Sequence, residues 1–232
     1  MTFLIPIPLH CDNAETRIRI VVVDTGIVES YVKNYLCKSG HADVTGYGLK
    51  DVDGHGTNIA SIIARSMDST RQCLVIIKWY HTAEQYSKDT EHDQELYFKR
   101  LSNVVLQSYP SFVNMSLYGA KPILSEYRMI KTLLSRGATV VVAAGNKSMN
   151  LSKNCNAYPA CYKLNNTNFH IVANYSSGIP STGIQGFSGS NYGGPATDKI
   201  NGDNVCEGGV CLSGTSQAAA LITGQLVRGN NR

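Results

Sequence analysis

The sequence predicts an α/β fold with three layers, in which helices flank a mainly parallel sheet. Two observations favour this fold. Short apolar runs rich in β-branched residues alternate along the chain with segments whose apolar residues recur at helical spacing. Several of these runs stop at turns such as Asp-Thr-Gly or Gly-Asn, and the functional sites of parallel sheets gather beyond the carboxyl ends of the strands.

The first predicted strand covers residues 19–24 (RIVVVD) and stops at Asp-Thr-Gly, which leaves Asp24 at its carboxyl end. A carboxylate at a strand end is well placed for a functional site. A helix is predicted after Gly54, because isoleucines recur at helical spacing behind a polar start in HGTNIASIIARSM. His55 therefore lies near a helix N-terminus.

The middle of the chain repeats the alternation of strand and helix. Strands are predicted over residues 74–78, 112–117 and 138–144. A helix between the first two of these strands has one apolar face, which consists of Tyr97, Leu101, Val104 and Val105. A further helix over Leu124–Ser135 leads into the third strand, which ends in a turn at Asn146.

The last third of the chain changes character. Residues 147–214 are rich in Gly, Asn, Ser and Tyr and predict surface loops and short hairpins, with one clear strand over residues 169–174. The segment SGTSQAAALITGQLVRG then begins with small polar residues and continues as a helix, so Ser216 lies at a helix start. Without internal repeats or a linker, residues 1–232 are expected to form one domain, with residues 1–17 as an N-terminal extension.

Composition argues against several functional classes. A chain of 232 residues with 43% hydrophobic content can bury a sizeable core. Its net charge of +4 comes from scattered residues without a basic run, so no nucleic-acid partner is expected. The longest apolar stretches are strand-sized, far short of the about 20 residues of a membrane span. A soluble protein is expected, and the first residues show no recognisable secretory signal.

The seven cysteines are an odd number, so at least one stays unpaired unless it bonds another chain. They lie at positions 11, 37, 73, 155, 161, 206 and 211. The close pairs Cys155/Cys161 and Cys206/Cys211 could form two small disulfide loops or could be four reduced, buried thiols. A metal site is the least favoured alternative, because neither pair has zinc-ribbon spacing.

The polar residues at the element ends suit acyl transfer. This reaction needs a hydroxyl nucleophile, an imidazole to take its proton, a carboxylate to orient the imidazole, and donors for the developing oxyanion. Ser216, His55, Asp24 and Asn146 supply these four types. A serine at a helix N-terminus also gains from the positive end of the helix dipole and from unpaired backbone N–H groups.

Five segments resemble the successive motifs of the subtilisin-like serine peptidases, or subtilases. They are VVVDTGI, DGHGT, FVNMSLYG, VVVAAGN and SGTSQAA. They occur in the order Asp, His, Ser that is established for this family. One such motif would be weak evidence, but five in order over residues 19–226 are specific. The resemblance implies a serine endopeptidase that acts on protein or peptide substrates.

The resemblance also implies a role for each matching residue. Asp24 corresponds to the carboxylate that orients the histidine, His55 to the general base and later acid, and Ser216 to the nucleophile. Asn146 corresponds to the side-chain oxyanion donor, which works beside the backbone N–H of Ser216. Two segments correspond to the walls of the primary specificity pocket: Ser116, Leu117, Tyr118 and Gly119, and Ala143, Ala144 and Gly145. The first wall would also pair with the substrate backbone as an added strand.

The chain departs from the family pattern in several places. Ala220 and Leu221 stand where relatives commonly have proline and histidine, and Tyr118 is an extra residue that could narrow the pocket. Only residues 68–72 occupy the place where many relatives insert a calcium loop, so we expect no metal site, and no cofactor is implied. A propeptide or inhibitor is an implied partner that is not visible in this chain.

Other features have two interpretations. Pro159 follows Tyr158 where the family tends to have a cis proline, whereas base rates favour trans. Asp51 and Asp53 are expected at a solvated loop or the rim of the substrate cleft. The residues of 178–194 are expected to form a flexible surface loop rather than a binding site. Five histidines without a motif are expected to be ordinary surface or core residues: His10, His41, His81, His92 and His170.

Two rival functions stay open from sequence alone. A pseudopeptidase would keep the fold only to bind peptides, although such a protein would not need Ser216 and Asn146 together. A transpeptidase or macrocyclase would use the same acyl-enzyme but exclude water. The compartment is also open: the sequon at Asn146 argues against a eukaryotic secretory route, because a glycan there would block the site. A bacterial or viral protein, cytoplasmic or secreted, fits the sequence.

Overall fold

A computed structural model describes residues 15–90, 93–182 and 189–230. Most of the expected N-terminal extension, together with Cys11, His10 and His92, lies outside these ranges. Within them, helices cover both faces of a mixed sheet whose strands are mainly parallel. The three-layer α/β fold expected from the sequence is confirmed.

Among the residues that the structure describes, the main sheet contains eight strands. They are β1 (Ile18–Asp24), β2 (Ala42–Asp43), β3 (Gln72–Lys78), β4 (Phe112–Met115), β5 (Thr139–Ala143), β6 (Phe169–Ser176), β7 (Ile179–Pro180) and β8 (Asp198–Ile200). Their order is β2-β3-β1-β4-β5-β6-β7, and β8 also pairs with β6. Every pair is parallel except β6 with β7. Strands β9 (Val205–Glu207) and β10 (Val210–Leu212) form a separate hairpin.

In the described ranges, five α-helices connect or flank these strands. They are α1 (His55–Ala64), α2 (Ala83–Thr90), α3 (Gln94–Gln107), α4 (Leu124–Ser135) and α5 (Thr215–Gly229). Helix α2 was not predicted, because its segment AEQYSKDT is polar and lacks an apolar stripe. An ion pair between Glu84 and Lys88, one helical turn apart, supports this exposed helix.

The central strand β1 shows why a continuous apolar run forms a strand here. Successive side chains of a strand point to opposite faces of the sheet. Val21 and Val23 belong to the core cluster that includes residues of α3 and α4, whereas Ile20 and Val22 belong to the cluster that includes residues of α1 and α5. Both faces are covered, so every position must be apolar.

The parallel topology brings three strand ends to one edge of the sheet. Val23 of β1 is in register with Met115 of β4, and Met115 is in register with Val142 of β5. The polar residues that follow these strands therefore emerge side by side. The strand predicted over residues 112–117 ends at Met115, two residues earlier, because Ser116 no longer pairs within the sheet. Helices α1 and α5 pack against each other on one face.

Three disulfides cross-link the described part of the chain. Cys155 bonds Cys161, and Cys206 bonds Cys211, so the small-loop alternative holds for both close pairs. The third bond joins Cys37 to Cys73 and was not expected. It spans 36 residues of sequence, and only the docking of the segment before β2 against β3 brings the two sulfurs together. The bond between Tyr158 and Pro159 is cis, as the family resemblance implied.

Candidate active site

The carboxylate of Asp24 and the imidazole of His55 form a hydrogen-bonded pair. Asp24 ends β1 and is 2% exposed, and its Oδ1 lies 2.7 Å from Nδ1 of His55. The backbone N–H of Thr25 donates to the same oxygen at 2.8 Å. Because a proton on Nδ1 satisfies the carboxylate, Nε2 on the other side of the ring is left as an acceptor.

The pKa of His55 is raised above its ordinary value. Burial of the ring lowers this pKa, but the charge and hydrogen bond of Asp24 outweigh that effect, and the charges of Asp53 and Asp51 add to it. His55 begins α1, and the preceding Gly54 has a φ of 94°, a backbone conformation that favours glycine. The ring is therefore an imidazole that takes up a proton readily.

Asp51 does not lie at a solvated cleft rim, so that expectation was wrong. It is 5% exposed, and its carboxylate accepts five hydrogen bonds. Their donors are the hydroxyls of Thr25 and Thr57 and the backbone N–H groups of Asp53, Gly54 and Thr57. These bonds tie the turn after β1 to the start of α1 and lower the pKa of Asp51 despite its burial. Asp53, by contrast, is exposed and does lie at the cleft.

Ser216 occupies the first turn of α5, behind Gly214, whose φ of 149° is a backbone conformation that favours glycine. Its hydroxyl donates to the backbone carbonyl of Ser116 at 3.3 Å, and the hydroxyl of Ser116 donates back to the carbonyl of Ser216 at 3.2 Å. Ser216 makes no hydrogen bond to His55, and both residues are among those that the structure describes. Hydrogen bonds between a nucleophile and its base are often long or poorly aligned until substrate binds.

Asn146 is oriented by Thr215, the residue before Ser216. The Oδ1 atom of Asn146 accepts from the N–H of Thr215 at 3.0 Å and from its hydroxyl at 2.9 Å. The backbone N–H of Gly145 donates to that hydroxyl at 3.1 Å. With Oδ1 occupied, Nδ2 of Asn146 is the end of the carboxamide that remains available, and it makes no hydrogen bond to any described residue.

A cleft of about 390 Å³ adjoins the Asp24–His55 pair. Four of the seven predicted wall residues line it: Ser116, Leu117, Tyr118 and Gly119. The other three, Ala143, Ala144 and Gly145, are buried at the end of β5 and do not line this cleft. Trp79, Tyr80 and Tyr86 also line this cleft. Sequence reasoning missed these rings, although the dense aromatic run WYHTAEQY after a strand was a usable signal.

The remaining described histidines have ordinary partners. His41 contacts the carbonyl of Cys37 and accepts from the N–H of Ile76. His81 stacks on Tyr47, and His170 pairs with Asp198 at 2.9 Å. One group of three potential metal ligands occurs among the described residues, Glu15 with Cys37 and Cys73, but a disulfide offers no thiolate to a metal.

Comparison with known proteins identifies the class of this protein. Residues 15–228 match the model of the subtilase family of peptidases, and the chain therefore belongs to the subtilase family. This membership supports a serine-protease type of hydrolase activity and implies peptide substrates. No curated protein sequence matches the chain.

Solved structures show the same fold. A cold-adapted subtilisin-like serine proteinase aligns with a TM-score of 0.67 at 22% identity, covering 97% of this chain and 81% of the other. A lanthipeptide protease aligns with a TM-score of 0.68 at 15% identity, covering 90% of this chain and 72% of the other. At such low identities the likeness establishes the fold alone. In the described ranges, no helix combines the length and the apolar character that crossing a membrane requires.

Proposed function

We propose that this protein is a serine endopeptidase that hydrolyses peptide bonds through an acyl-enzyme. The observation that carries the proposal is the 2.7 Å bond between Asp24 and His55, at the edge of the sheet where Ser216 lies in the first turn of α5. Family membership supports the same chemistry. In this proposal Asp24, His55 and Ser216 are the catalytic triad, and Asn146 is the oxyanion donor.

The first half of the reaction forms the acyl-enzyme. The hydroxyl of Ser216 attacks the scissile carbonyl carbon, and Nε2 of His55 takes the hydroxyl proton. Asp24 holds the ring through Nδ1 and stabilises the imidazolium that forms. Nδ2 of Asn146 and the backbone N–H of Ser216 donate to the oxyanion of the tetrahedral intermediate. His55 then gives its proton to the leaving amine, and the C–N bond breaks.

The second half releases the acid product. A water molecule loses a proton to His55 and attacks the ester carbonyl, and the second tetrahedral intermediate uses the same two donors. Collapse of this intermediate returns the proton to Ser216 and frees the new carboxylate. The raised pKa of His55 favours both proton uptakes, since a stronger base holds the transferred proton better.

The geometry also limits how the substrate backbone pairs. The N–H and the carbonyl of Gly119 are already bonded to Tyr158, each at 2.8 Å. Alternate residues of an extended segment point their backbone groups in opposite directions. The backbone N–H and carbonyl of Tyr118 therefore point away from Tyr158. We assign the pairing with an added substrate strand to Tyr118.

A fluorophosphonate probe and a protein substrate test the proposal together. Wild type should be labelled at Ser216 and should hydrolyse casein, and Ser216→Ala should lose both properties. Ser135→Ala is the matched control, because this hydroxyl sits at the exposed end of α4 and bonds only the carbonyl of Thr132. Folded wild type that neither reacts nor hydrolyses would contradict the proposal and favour the peptide-binding alternative. Mass spectrometry of the products separates hydrolysis, which adds water to the acyl fragment, from transpeptidation, which joins it to an amine.

A further inference from the structure

Asn191 is a fully buried residue that contacts the turn carrying Asn146. It is 0% exposed and follows Ser190 in the loop before β8. Its Oδ1 accepts from the backbone N–H of Lys147 at 3.0 Å and of Met149 at 3.0 Å. Its Nδ2 donates to the carbonyl of Ala144 at 2.8 Å. All of its side-chain bonds therefore go to the turn between residues 144 and 149.

The bonds of Asn191 fall on both peptide groups that flank Asn146. On one side, the backbone N–H of Asn191 donates to the carbonyl of Gly145 at 2.8 Å. On the other side, Oδ1 of Asn191 accepts from the N–H of Lys147. The planes of these two peptide groups determine the φ and ψ of Asn146, and hence the direction in which its side chain leaves the backbone.

The close approach of Asn191 depends on a glycine in the turn. A Cβ atom at position 145 would lie 2.6 Å from Nδ2 of Asn191, and the φ of Gly145 is 96°. A residue with a side chain would collide with the carboxamide and would be strained in this backbone conformation. Gly145 and Asn191 thus form one complementary pair.

We propose that Asn191 is a positioning residue that sets the place of the oxyanion donor Asn146. This inference rests on the proposed function. Asn146 is anchored at two points: Thr215 holds its Oδ1, and Asn191 holds the backbone on either side of it. The first anchor orients the carboxamide, and the second fixes where the side chain starts.

A carboxamide suits position 191 better than a carboxylate or a hydroxyl does. The turn presents one carbonyl and two N–H groups to a single buried side chain. Asparagine offers both a donor and an acceptor, whereas a carboxylate would place an oxygen against the carbonyl of Ala144 and a hydroxyl could not span the three groups. Loss of the side chain would leave one buried carbonyl and two half-buried N–H groups without this partner, so the turn would shift.

A shift of the turn should affect the chemical step. Misplacing a catalytic group by about 1 Å can cost about 100-fold in rate. We therefore expect Asn191→Ala to lower kcat by about tenfold to 100-fold. KM should change much less, because an oxyanion donor acts mainly in the transition state.

The matched control is Gln72→Ala. Gln72 is also 0% exposed, and its carboxamide also bonds backbone groups, the carbonyl of Val227 and the N–H of Asp68, each at 3.0 Å. It lies at the start of β3, at the opposite edge of the sheet from the cleft. Both variants should melt at lower temperature than wild type. At a temperature where all variants are folded, only Asn191→Ala should lose kcat, and equal kcat in wild type and Asn191→Ala would overturn the proposal.

A double-mutant cycle identifies the residue through which Asn191 acts. In an Asn146→Ala background there is no donor left to position, so adding Asn191→Ala should reduce kcat by less than about threefold. The same fold-loss in both backgrounds would show that Asn191 supports some other part of the site. That result would also overturn the proposal.

The crystal structure of Asn191→Ala is a readout that does not depend on catalysis. The proposal expects Asn146 to move away from Thr215 in this variant and to stay in place in Gln72→Ala. If wild type proved inactive, the proposed function would fail, but a displaced Asn146 would still establish Asn191 as its positioning residue. An unmoved Asn146 would refute the inference whatever the activity of wild type.

Discussion

Asp24 uses only one of its two carboxylate oxygens to hold His55. Oδ1 lies 2.7 Å from Nδ1 of the imidazole, whereas the buried Oδ2 has no hydrogen-bond partner among the described residues. Buried carboxylate oxygens normally have partners, and further donors would weaken the pull of the charge on the ring. The negative charge of Asp24 therefore acts mainly on the imidazole of His55. The protonation of His55 is the first property to test.

The acid limb of the pH–rate profile should depend on Asp53. His55 must be neutral to accept the proton of Ser216, so kcat/KM should fall as the pH drops through a His55 pKa that lies above the ordinary 6.5. Asp53 is one of the charges that raise this pKa, and its Oδ1 accepts from the N–H of His55 at 3.2 Å. Asp53→Asn keeps an oxygen for that bond but removes the charge, so the acid limb should move to lower pH.

The control for this titration is Asp68→Asn, which removes a carboxylate from the turn before β3 and should leave the profile unchanged. A profile of Asp53→Asn that coincides with that of wild type would contradict the assignment of Asp53. A shift to higher pH would contradict the sign.

Replacement of the oxyanion donor Asn146 should lower kcat. In Asn146→Ala the transition state loses the hydrogen bond from Nδ2, whereas the substrate carbonyl in the ground state loses little. In subtilisin, removal of the corresponding side-chain donor lowers kcat by about 10²- to 10³-fold. This magnitude belongs to subtilisin and is not calculated for this chain. Steady-state kinetics should show that loss with KM nearly unchanged, and Asn146→Ala should still react slowly with a fluorophosphonate. Full kcat would place the donor elsewhere.

The hairpin of β9 and β10 links the two halves of the proposed site. Asn58 of α1 donates to the carbonyl of Glu207 at 2.9 Å, and Gln217 of α5 donates to Asn58 at 3.0 Å. The exposed Cys206–Cys211 bond closes this hairpin just before Ser216. Replacing both cysteines by serine should therefore lower activity as well as stability.

A second pair separates the two effects of these disulfides. In a chain-entropy model, bonds that close 5 and 36 residues contribute about 2 and about 4 kcal/mol to the free energy of unfolding. The double serine variant of Cys37 and Cys73 should thus be the less stable of the two in urea, yet it should keep kcat while folded. The reverse ranking in kcat would remove the link between the hairpin and Ser216.

Chelators should not affect this protein. The short turn between α1 and β3 uses its own oxygens: Oδ1 of Asp68 accepts from the N–H of Thr70 at 2.9 Å and from its hydroxyl at 2.6 Å, and the carbonyl of Asp68 accepts from the N–H of Gln72 at 2.8 Å. EDTA should leave the melting temperature and the activity unchanged. A melting temperature that drops with EDTA and recovers with calcium would reveal a site that this turn does not suggest.

Glu126 should make the protein less stable as the pH rises. It is 2% exposed, and burial raises its pKa from 4.5 to about 7, although the hydrogen bond from Tyr162 opposes this. Between these two values the folded state binds more protons than the unfolded state, so the free energy of unfolding falls with rising pH and levels off above about 7. Glu126→Gln should remove this slope and stabilise the protein at pH 9 by up to about 3 kcal/mol.

Urea unfolding at several pH values measures the effect of Glu126. The comparison between wild type and the glutamine variant isolates this residue from other titrating groups, because glutamine keeps an oxygen for the Tyr162 hydroxyl. Parallel pH profiles for the two proteins would show that Glu126 is ionised in the folded state at neutral pH.

Local patterns predicted most of the elements that form the fold. The apolar run of β1 predicts a strand that is buried on both faces, and the spacing of the isoleucines in α1 predicts a helix. Each pattern matches the side-chain repeat of one type of secondary structure. The polar helix α2 was missed for the same reason, since its exposed faces carry no apolar repeat. The motifs around Asp24, His55 and Ser216 were equally local, and their roles stay predictions until the variants are measured.

Long-range contacts were not accessible in this way. Asp51 was expected at a rim, yet it bonds Thr25, which lies 26 residues away in sequence. Asn191 attracted no notice, although it contacts Lys147, 44 residues away. Asparagine and aspartate are common in loops for reasons of turn geometry alone, so their presence there does not say whether a distant backbone group will meet them.

The sequence by itself determined the α/β class, the order of the main strands and helices, and which residue types stand at their ends, because periodicity and turn chemistry act over a few neighbouring residues. Only the tertiary structure decided which of these residues meet. The pairing of Cys37 with Cys73, the five bonds to Asp51 and the hold of Asn191 on the Asn146 turn all join segments from different strands and loops. Such contacts form where packing buries polar groups together, and each buried group then requires a partner that no local pattern specifies.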